Sequence, residues 1–529
     1  MKELSDEQFK EIFPFDKPRY NQREIINKII NAYESGKKYV ILSAPTGVGK
    51  SCIGYSVAKY FGSSFILTSQ KVLQEQYYKD FKIPFVLGRS NYTCKKNSEL
   101  TCENGSCFRH NSLMCKTKGK ISCPYVIERD ICISSPHSNL NYSYFLSLTK
   151  IKDYLMPKDL IICDEAHQLE NELIKLYNIK IDNDLLKYIG CADKVKIPSY
   201  SNSDLFKCKW LTHDLYEEVR NEFLYLHSQI HSLKNMEVTK EYKKIANKYL
   251  ILEKLITQIN QIQKMLENNE IVVVLHENNI LEYKMLHCKR IFSETIQKYS
   301  DKFLFMSATI FDKKSFIKDL NLDENLTEFI ECDAVFPVKN RLIKFNPIGS
   351  MSFKFKDETL PLMIKKIENI LNENDNVKGI IHTVNYDIAE KIIKGLSFSK
   401  HSKRLLMPRG NDKQTILNMF YNSNKPFVLI SPALTEGIDL KDELSRFCIV
   451  CKVPYANLKD KWTKTRMDED QKWYMIRACT SLVQMTGRSI RSESDFATTY
   501  ILDSDFLKLA SFAINTFPKW WQESVMIEK

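Results

Sequence analysis

The leading residues, MKELSDEQFKEIFPF, contain no apolar stretch of the kind that directs a chain to secretion. The longest apolar runs, such as Tyr39–Leu42 and Leu160–Cys163, are far too short to cross a bilayer. With neither a signal peptide nor a membrane span expected, the prediction is a cytoplasmic or nuclear protein with no membrane partner. The sequence also lacks an internal repeat, a low-complexity tail, an obvious flexible linker and a recognisable exonuclease motif. What is present is an ordinary globular mixture, 43% hydrophobic and 27% charged, in a chain of 529 residues. That length is too great for one core and predicts two to four domains. Lys and Arg number 77 against 65 Asp and Glu, a surplus of +12 that favours polyanionic partners through counterion release.

The pattern along the chain is α/β at both ends. Tyr39–Ser43 and Ser64–Thr68 read as short buried strands, with helices over Ser51–Tyr60 and Val72–Phe81. Residues 91–125 break this rhythm and carry little apolar periodicity. Strands resume at Ile131–Ser134 and Asp159–Glu165. From about 178 to 285 the pattern is mostly helical, with Leu252, Leu255, Ile256, Ile259, Ile262 and Leu266 at helical spacing. Leu215, Val219, Phe223 and Leu226 repeat that spacing, and Ser232–Val238 suits the turn of a helical hairpin; core helices of the first α/β block would give the same pattern. Phe303–Ser307, Gly379–Thr383, Pro426–Ile430, Phe447–Val453 and Thr498–Leu502 are further candidate strands.

Ala44-Pro45-Thr46-Gly47-Val48-Gly49-Lys50-Ser51 follows a strand and opens a helix, the context a phosphate-binding loop requires. Gly47 and Gly49 let backbone N–H groups face phosphates, and the helix N-terminus adds partial positive charge. Lys50 can neutralise the β- and γ-phosphates of ATP, and the Ser51 hydroxyl can ligate Mg²⁺. A glycine-rich turn that binds nothing is the plain alternative, disfavoured because strand, Lys-Ser and helix are all in register. Leu160–Cys163 delivers Asp164 and Glu165 at a strand end. Asp164 suits Mg²⁺, Glu165 suits the general base that activates water, and His167 is placed to couple the site to the nucleic-acid side.

Here the chain resembles superfamily 2 helicases, specifically the iron–sulfur group that includes DinG and XPD, over nearly its whole length. Tyr20-Asn21-Gln22 resembles the segment ahead of the phosphate loop, and Leu67–Leu73 the motif that grips the strand backbone. Met306-Ser-Ala-Thr309 resembles the motif linking hydrolysis to movement. Ser431–Leu440, with Glu436, Gly437 and Asp439, resembles motif V; Gln484–Arg491 resembles motif VI. Spaced at i, i+3/i+4 and i+7, Gln484, Gly487/Arg488 and Arg491 would share one helix face. Arg488 and Arg491 could then reach the γ-phosphate from the other lobe as arginine fingers, whereas a solvated basic face is the plain alternative.

Five of the fifteen cysteines lie between Cys94 and Cys123, which in a reducing compartment points to metal rather than disulfides. Gly88–Cys94 and Cys123-Pro-Tyr125 resemble the entry and exit of the family's iron–sulfur insert, and Cys102-x4-Cys107 its middle pair. The resemblance implies a [4Fe–4S] cluster on Cys94, Cys102, Cys107 and Cys123, with Cys115 surplus or replacing Cys102 or Cys107. Zn²⁺ takes the same donors, but the cluster contains no Cys-x2-Cys pair. Arg89, Tyr92, Lys95, Lys96, Phe108, Arg109, Lys116, Lys118, Lys120 and Tyr125 interleave basic and aromatic chemistry suited to single-stranded nucleic acid, or form a solvated charged loop. Ser135–Tyr142 and Lys452–Tyr455 resemble family segments that touch the strand or merely pack.

The expected fold is α/β, with two RecA-like parallel-sheet motor lobes and two inserts in the first. The expected division gives lobe one residues 1–90, 129–178 and 286–338. The iron–sulfur insert takes 91–128, a helical arch-like insert 179–285, and lobe two 339–529. The resemblance implies an ATP-dependent, 5′→3′ DNA helicase of DNA repair, recombination or replication. It would act on single-stranded and forked DNA as a monomeric motor. An RNA helicase of the Asp-Glu-Ala-His type and an idle nucleic-acid-binding scaffold are the alternatives. The cysteine segment argues against the first. Intact Lys50, Glu165, Arg488 and Arg491 argue against the second.

Overall fold

The computed structural model describes residues 3–528 except 20, 96, 106–115, 118, 119, 122, 152, 233–239, 311, 433–439, 441 and 488–494. Two parallel sheets organise the chain. The first has six strands in the order Thr327–Glu331, Tyr39–Ser43, Phe303–Ser307, Leu160–Asp164, Ser64–Thr68, His137–Asn141. The second has seven, in the order Leu405–Leu406, Val428–Ser431, Gly379–His382, Phe447–Val450, Thr498–Asp503, Ile343–Gly349, Val525–Ile527. Every pairing in both is parallel. The central strands are apolar runs buried at all positions, as in Tyr39–Ser43 and Leu160–Asp164. Strands covered on both faces by helices need such runs rather than alternation. The result is two RecA-like lobes, joined through residues 332–342.

Sheet order places the chemistry. Tyr39–Ser43, Phe303–Ser307 and Leu160–Asp164 are neighbours, and Ser43 pairs with Ser307 while Met306 pairs with Asp164. The phosphate loop, the Ser-Ala-Thr segment and the acidic box therefore leave adjacent strands at their carboxyl ends, where open parallel sheets bind ligands.

Two elements depart from the sequence reading. Ile131–Ser134 is not a strand but the last turn of the helix Pro124–Ser134, and the strand is His137–Asn141. A short apolar run does not distinguish the two, and Pro124 at the first helical turn starts a helix whose inward face includes Tyr125 and Cys132. Within 178–288 the helices Tyr216–Ser232 and Lys240–Glu267 lie side by side, joined by Lys248 Nζ to Glu222 Oε1 at 2.6 Å. Leu252, Leu255, Ile259 and Ile262 are buried as their spacing predicts. The intervening turn, 233–239, lies outside the described residues. Beneath the helices is a three-stranded antiparallel sheet, Ile179–Ile181, Ile280–Met285 and Val272–Glu277, that the helical reading did not include. Among the described residues no helix is long and apolar enough to cross a membrane.

Candidate active site between the two lobes

Gly47 and Gly49 hold φ of +92° and +86°, the left-handed region that glycine enters freely. A side chain at either would be strained by that φ and would displace a neighbour, since a Cβ on Gly47 would stand 2.1 Å from Phe336 Cζ and one on Gly49 2.3 Å from Gln22 Nε2. Gln22, buried, donates from Nε2 to the Val48 carbonyl at 2.8 Å and accepts from Arg19 N at 2.9 Å. It clamps the loop from outside. Phe336, from the segment joining the lobes, lays its ring over the loop. Lys50 heads the helix Lys50–Phe61 and donates to the Ala44 carbonyl at 3.3 Å, so its ammonium lies along the loop.

Asp164 is buried at the end of its strand. The Tyr77 hydroxyl donates to its Oδ2 at 2.9 Å, and the Glu165 N–H to its Oδ1 at 3.0 Å. The Tyr142 hydroxyl donates to its carbonyl at 3.0 Å. Burial pushes the Asp164 carboxyl up to about 6, the adjacent Glu165 adds to this, and the Lys50 ammonium opposes it. A divalent cation beside it would favour the ionised form. Loop donors, Lys50, Ser51 and Asp164 thus suit a magnesium–nucleotide pair. Burial, and then the nearby Asp164, holds the Tyr77 phenol well above its usual range, so it remains a donor. Neither Tyr77 nor Tyr142 was singled out for the ATP site by the sequence reading; Tyr77 is 87 residues from Asp164.

Glu165 takes a left-handed φ of +51°, rare for a residue with a side chain. Its Oε2 lies 3.4 Å from His167 Nδ1, which is also 2.8 Å from Ser307 Oγ. Ser307 Oγ is 3.2 Å from Thr309 Oγ1 and accepts from Thr309 N at 3.1 Å. On its other edge His167 Nε2 meets Gln484 Nε2 of lobe two at 2.6 Å. A Gln484 amide donating to Nε2 leaves the ring proton on Nδ1, facing Glu165 and Ser307. The acidic box, the Ser-Ala-Thr segment and motif VI thus meet on one imidazole.

The helix carrying Gln484, Gln471–Thr486, stops with Gly487 as its C-cap. The single helix face expected for Gln484 through Arg491 is therefore not provided by this helix. Arg488 and Arg491 lie outside the described residues, as do Glu436, Gly437 and Asp439 of motif V and Tyr20 ahead of the phosphate loop.

In the cysteine segment, Cys94, Cys102 and Cys123 are buried and free of disulfides. Cys102 and Cys123 Sγ are 3.7 Å apart, and burial first, then the Cys123 thiol, pushes Cys102 up to about 12. Backbone bonds set this up: Cys94 N donates to Leu100 O at 2.8 Å and Cys102 N to Tyr92 O at 2.7 Å, around the Thr93–Thr101 bridge. Three buried thiols, none in a disulfide, are a donor set that fits a thiolate-bound metal group. Among the described residues no three donors stand close enough to hold a metal ion, and Cys107 and Cys115 lie outside them. Tyr92 and Tyr125 prove to be packing residues, in an edge contact at 5.7 Å with the Arg89 guanidinium 5.2 Å over Tyr125. Tyr125 and Tyr144 hydroxyls are 2.7 Å apart. Lys96, Phe108, Arg109 and Lys118 lie outside the described residues.

Known proteins agree with this arrangement. The family model for the type III restriction enzyme res subunit matches residues 15–190, and that for the helicase C-terminal domain matches 367–524. A probable ATP-dependent helicase of Methanocaldococcus jannaschii is 24% identical, over 94% of this chain and 93% of its own. The ATP-dependent DNA helicase CHL1 of Kluyveromyces lactis is 22% identical over 73% of this chain, which spans 57% of that protein. Among solved structures, an XPD helicase superposes with a TM-score of 0.63 at 17% identity, over 97% of this chain and 100% of that one. The Xpd4 of S. tokodaii superposes at 0.59 and 15% identity, over the same shares. With a phosphate loop, an acidic box and Gln484 meeting between two lobes that match these family models, the chain is similar in sequence to ATP-dependent helicases and shares the fold of the XPD structures.

Proposed function

We propose that the chain couples ATP hydrolysis to 5′→3′ movement along single-stranded DNA and so unwinds forked duplex, as a monomeric motor in repair, recombination or replication. The observation that carries this reading is the imidazole of His167, shared between Glu165, Ser307 and Gln484. It makes the base that activates water sensitive to the position of lobe two, which is what a motor needs. Lys50 and the N–H groups of Gly47–Ser51 would hold the phosphates. Ser51 and Asp164 would hold Mg²⁺. Arg488 and Arg491 would offset charge on the transferred phosphoryl group, with Glu436 and Asp439 between nucleotide and strand. DNA rather than RNA is favoured by the buried thiols and by relatives named for DNA helicase activity. The polarity rests on the family resemblance.

The cysteine segment, 91–128, would carry a [4Fe–4S] cluster on Cys94, Cys102, Cys107 and Cys123, with Cys115 able to replace Cys102 or Cys107. Bound there, the cluster supplies folding energy to a segment too polar to pack by itself. Residues 179–285 would form an arch-like insert over the strand path.

Hydrolysis measured with single-stranded DNA, single-stranded RNA and no nucleic acid tests the motor. DNA should stimulate it, and duplexes with a 5′ single-stranded tail should open faster than those with a 3′ tail. Equal stimulation by RNA would favour the RNA helicase, and no hydrolysis at all the idle scaffold. A visible spectrum with iron and sulfide analysis on anaerobically purified protein tests the cluster. Colourless protein carrying zinc would overturn it.

A further inference from the structure

Lobe two touches lobe one at a second buried place, three residues beyond His167. Arg477 Nη2 hydrogen-bonds the Glu170 carboxylate and donates to Asn171 Oδ1 at 3.1 Å. Trp473 Nε1 donates to the same Glu170 Oε2 at 3.3 Å. Beside them Arg466, only 2% exposed, donates from Nη2 to Asp319 Oδ1 at 2.5 Å and lies 3.7 Å from Glu170 Oε1. The Trp473 ring stands 5.1 Å from the Arg466 guanidinium and 5.4 Å from that of Arg477. Lobe one thus supplies two carboxylates and lobe two the two guanidiniums and the indole.

Adhesion alone does not explain this cluster. Buried ion pairs hold surfaces no better than apolar side chains of similar volume, because desolvation offsets most of the Coulomb gain. Arg466 Nε moreover finds no hydrogen-bond partner. What a carboxylate–guanidinium contact adds is direction, since its planar fork tolerates little displacement.

The direction has a target. Arg477 and Gln484 stand seven residues apart on the helix Gln471–Thr486, two turns along one face. Their partners, Glu170 and His167, stand three apart on the acidic-box side. The two contacts lie about 10 Å apart along the helix axis at ~1.5 Å per residue. Between them is a cavity of about 70 Å³, lined by His167, Thr309, Asp312, Arg477 and Thr480 among others. Packing there is incomplete, so the polar contacts of the helix with lobe one, Arg477 to Glu170 and Lys472 to Asp312 among them, bear on how Gln484 meets His167.

We propose that Arg477 and Glu170 are positioning residues for ATP hydrolysis: their pair sets the register of the Gln471–Thr486 helix on the acidic box, so that Gln484 engages His167. The proposal rests on reading Glu165 as the base of that reaction.

The test is a double-mutant cycle on DNA-stimulated hydrolysis with Arg477→Lys, Gln484→Ala and the pair, with thermal midpoints as the control for folding. Lysine keeps the charge and loses the fork. Each single change should lower kcat by about ten-fold or more while KM for ATP stays within about two-fold, the pattern of lost alignment. The double variant should be no slower than the slower single, because both remove one arrangement. Glu170→Asp, which shortens the reach by one methylene, should give the same split. It carries the comparison if Arg477→Lys lowers the midpoint. Losses that multiply overturn the proposal, as does a KM increase at unchanged kcat, or wild-type rates in both Arg477→Lys and Glu170→Asp. A wild-type chain that hydrolyses no ATP overturns the reading of the site along with it.

Discussion

Tyr77 holds the carboxylate of Asp164 by a hydrogen bond that the phenylalanine ring could not make. A bond to a charged group is worth roughly 1.5–3 kcal/mol. Tyr77→Phe should therefore raise the Mg²⁺ concentration needed for half-maximal hydrolysis by about ten-fold, with the fold intact; an unchanged magnesium titration would remove Tyr77 from the site. Gly49→Ala should be harsher, since its φ of +86° and the Gln22 amide 2.3 Å from the new Cβ both oppose it. Hydrolysis should fall by about a hundred-fold or more. Lys50→Ala should abolish turnover and leave the circular-dichroism spectrum unchanged. The sequence disclosed Lys50, Asp164, Glu165 and His167 because each belongs to a contiguous motif. It concealed the roles of Tyr77, Tyr142 and Glu170 because each acts through a partner on another element, which no local pattern records.

At the scale of elements, the strands were legible wherever a branched apolar run met a glycine or an acidic pair, as at Tyr39–Ser43 and Leu160–Asp164. Ile131–Ser134 misled because three apolar residues in four fit a buried strand and a helix end equally well. The antiparallel sheet under the long helices was missed because Val272–Leu275 follows a strong helical repeat and is short. The cysteine segment stands apart, since among its described residues Cys102 and Cys123 bring two thiols together where no local apolar repeat announces an element. Cys123→Ser removes one of the two thiols now 3.7 Å apart. The proposed cluster predicts a brown absorbance in anaerobically purified wild-type protein that Cys123→Ser protein lacks, and a loss of unwinding in that variant before a loss of hydrolysis. Retention of full absorbance would exclude Cys123 as a ligand.

Across the whole molecule, the helix pair Lys461–Glu469 and Gln471–Thr486 ties lobe two to everything else. It reaches the acidic box through Gln484 and Arg477. It also reaches the antiparallel sheet and the helix Asp204–Lys209 beside it: Trp462 Nε1 donates to Met285 O at 2.6 Å, and Lys461 Nζ meets Val274 O at 3.2 Å and Asp204 Oδ2 at 2.6 Å. These contacts would carry a movement of lobe two into the 178–288 segment. The Lys461–Asp204 pair is half exposed on both sides, and pairs of that kind contribute at most about 1 kcal/mol. The Trp462 bond is more sheltered, and the indole packs edge-on against Trp473, ring centroids 5.6 Å apart, joining the two helices. Trp462→Phe keeps the ring contact and deletes the bond, a loss of roughly 1 kcal/mol or about five-fold in the docked population. DNA-stimulated hydrolysis should stay within about two-fold of wild type, while base pairs opened per ATP consumed fall by about five-fold. Parallel losses in both would show that Trp462 supports the fold of the motor and does not transmit its stroke.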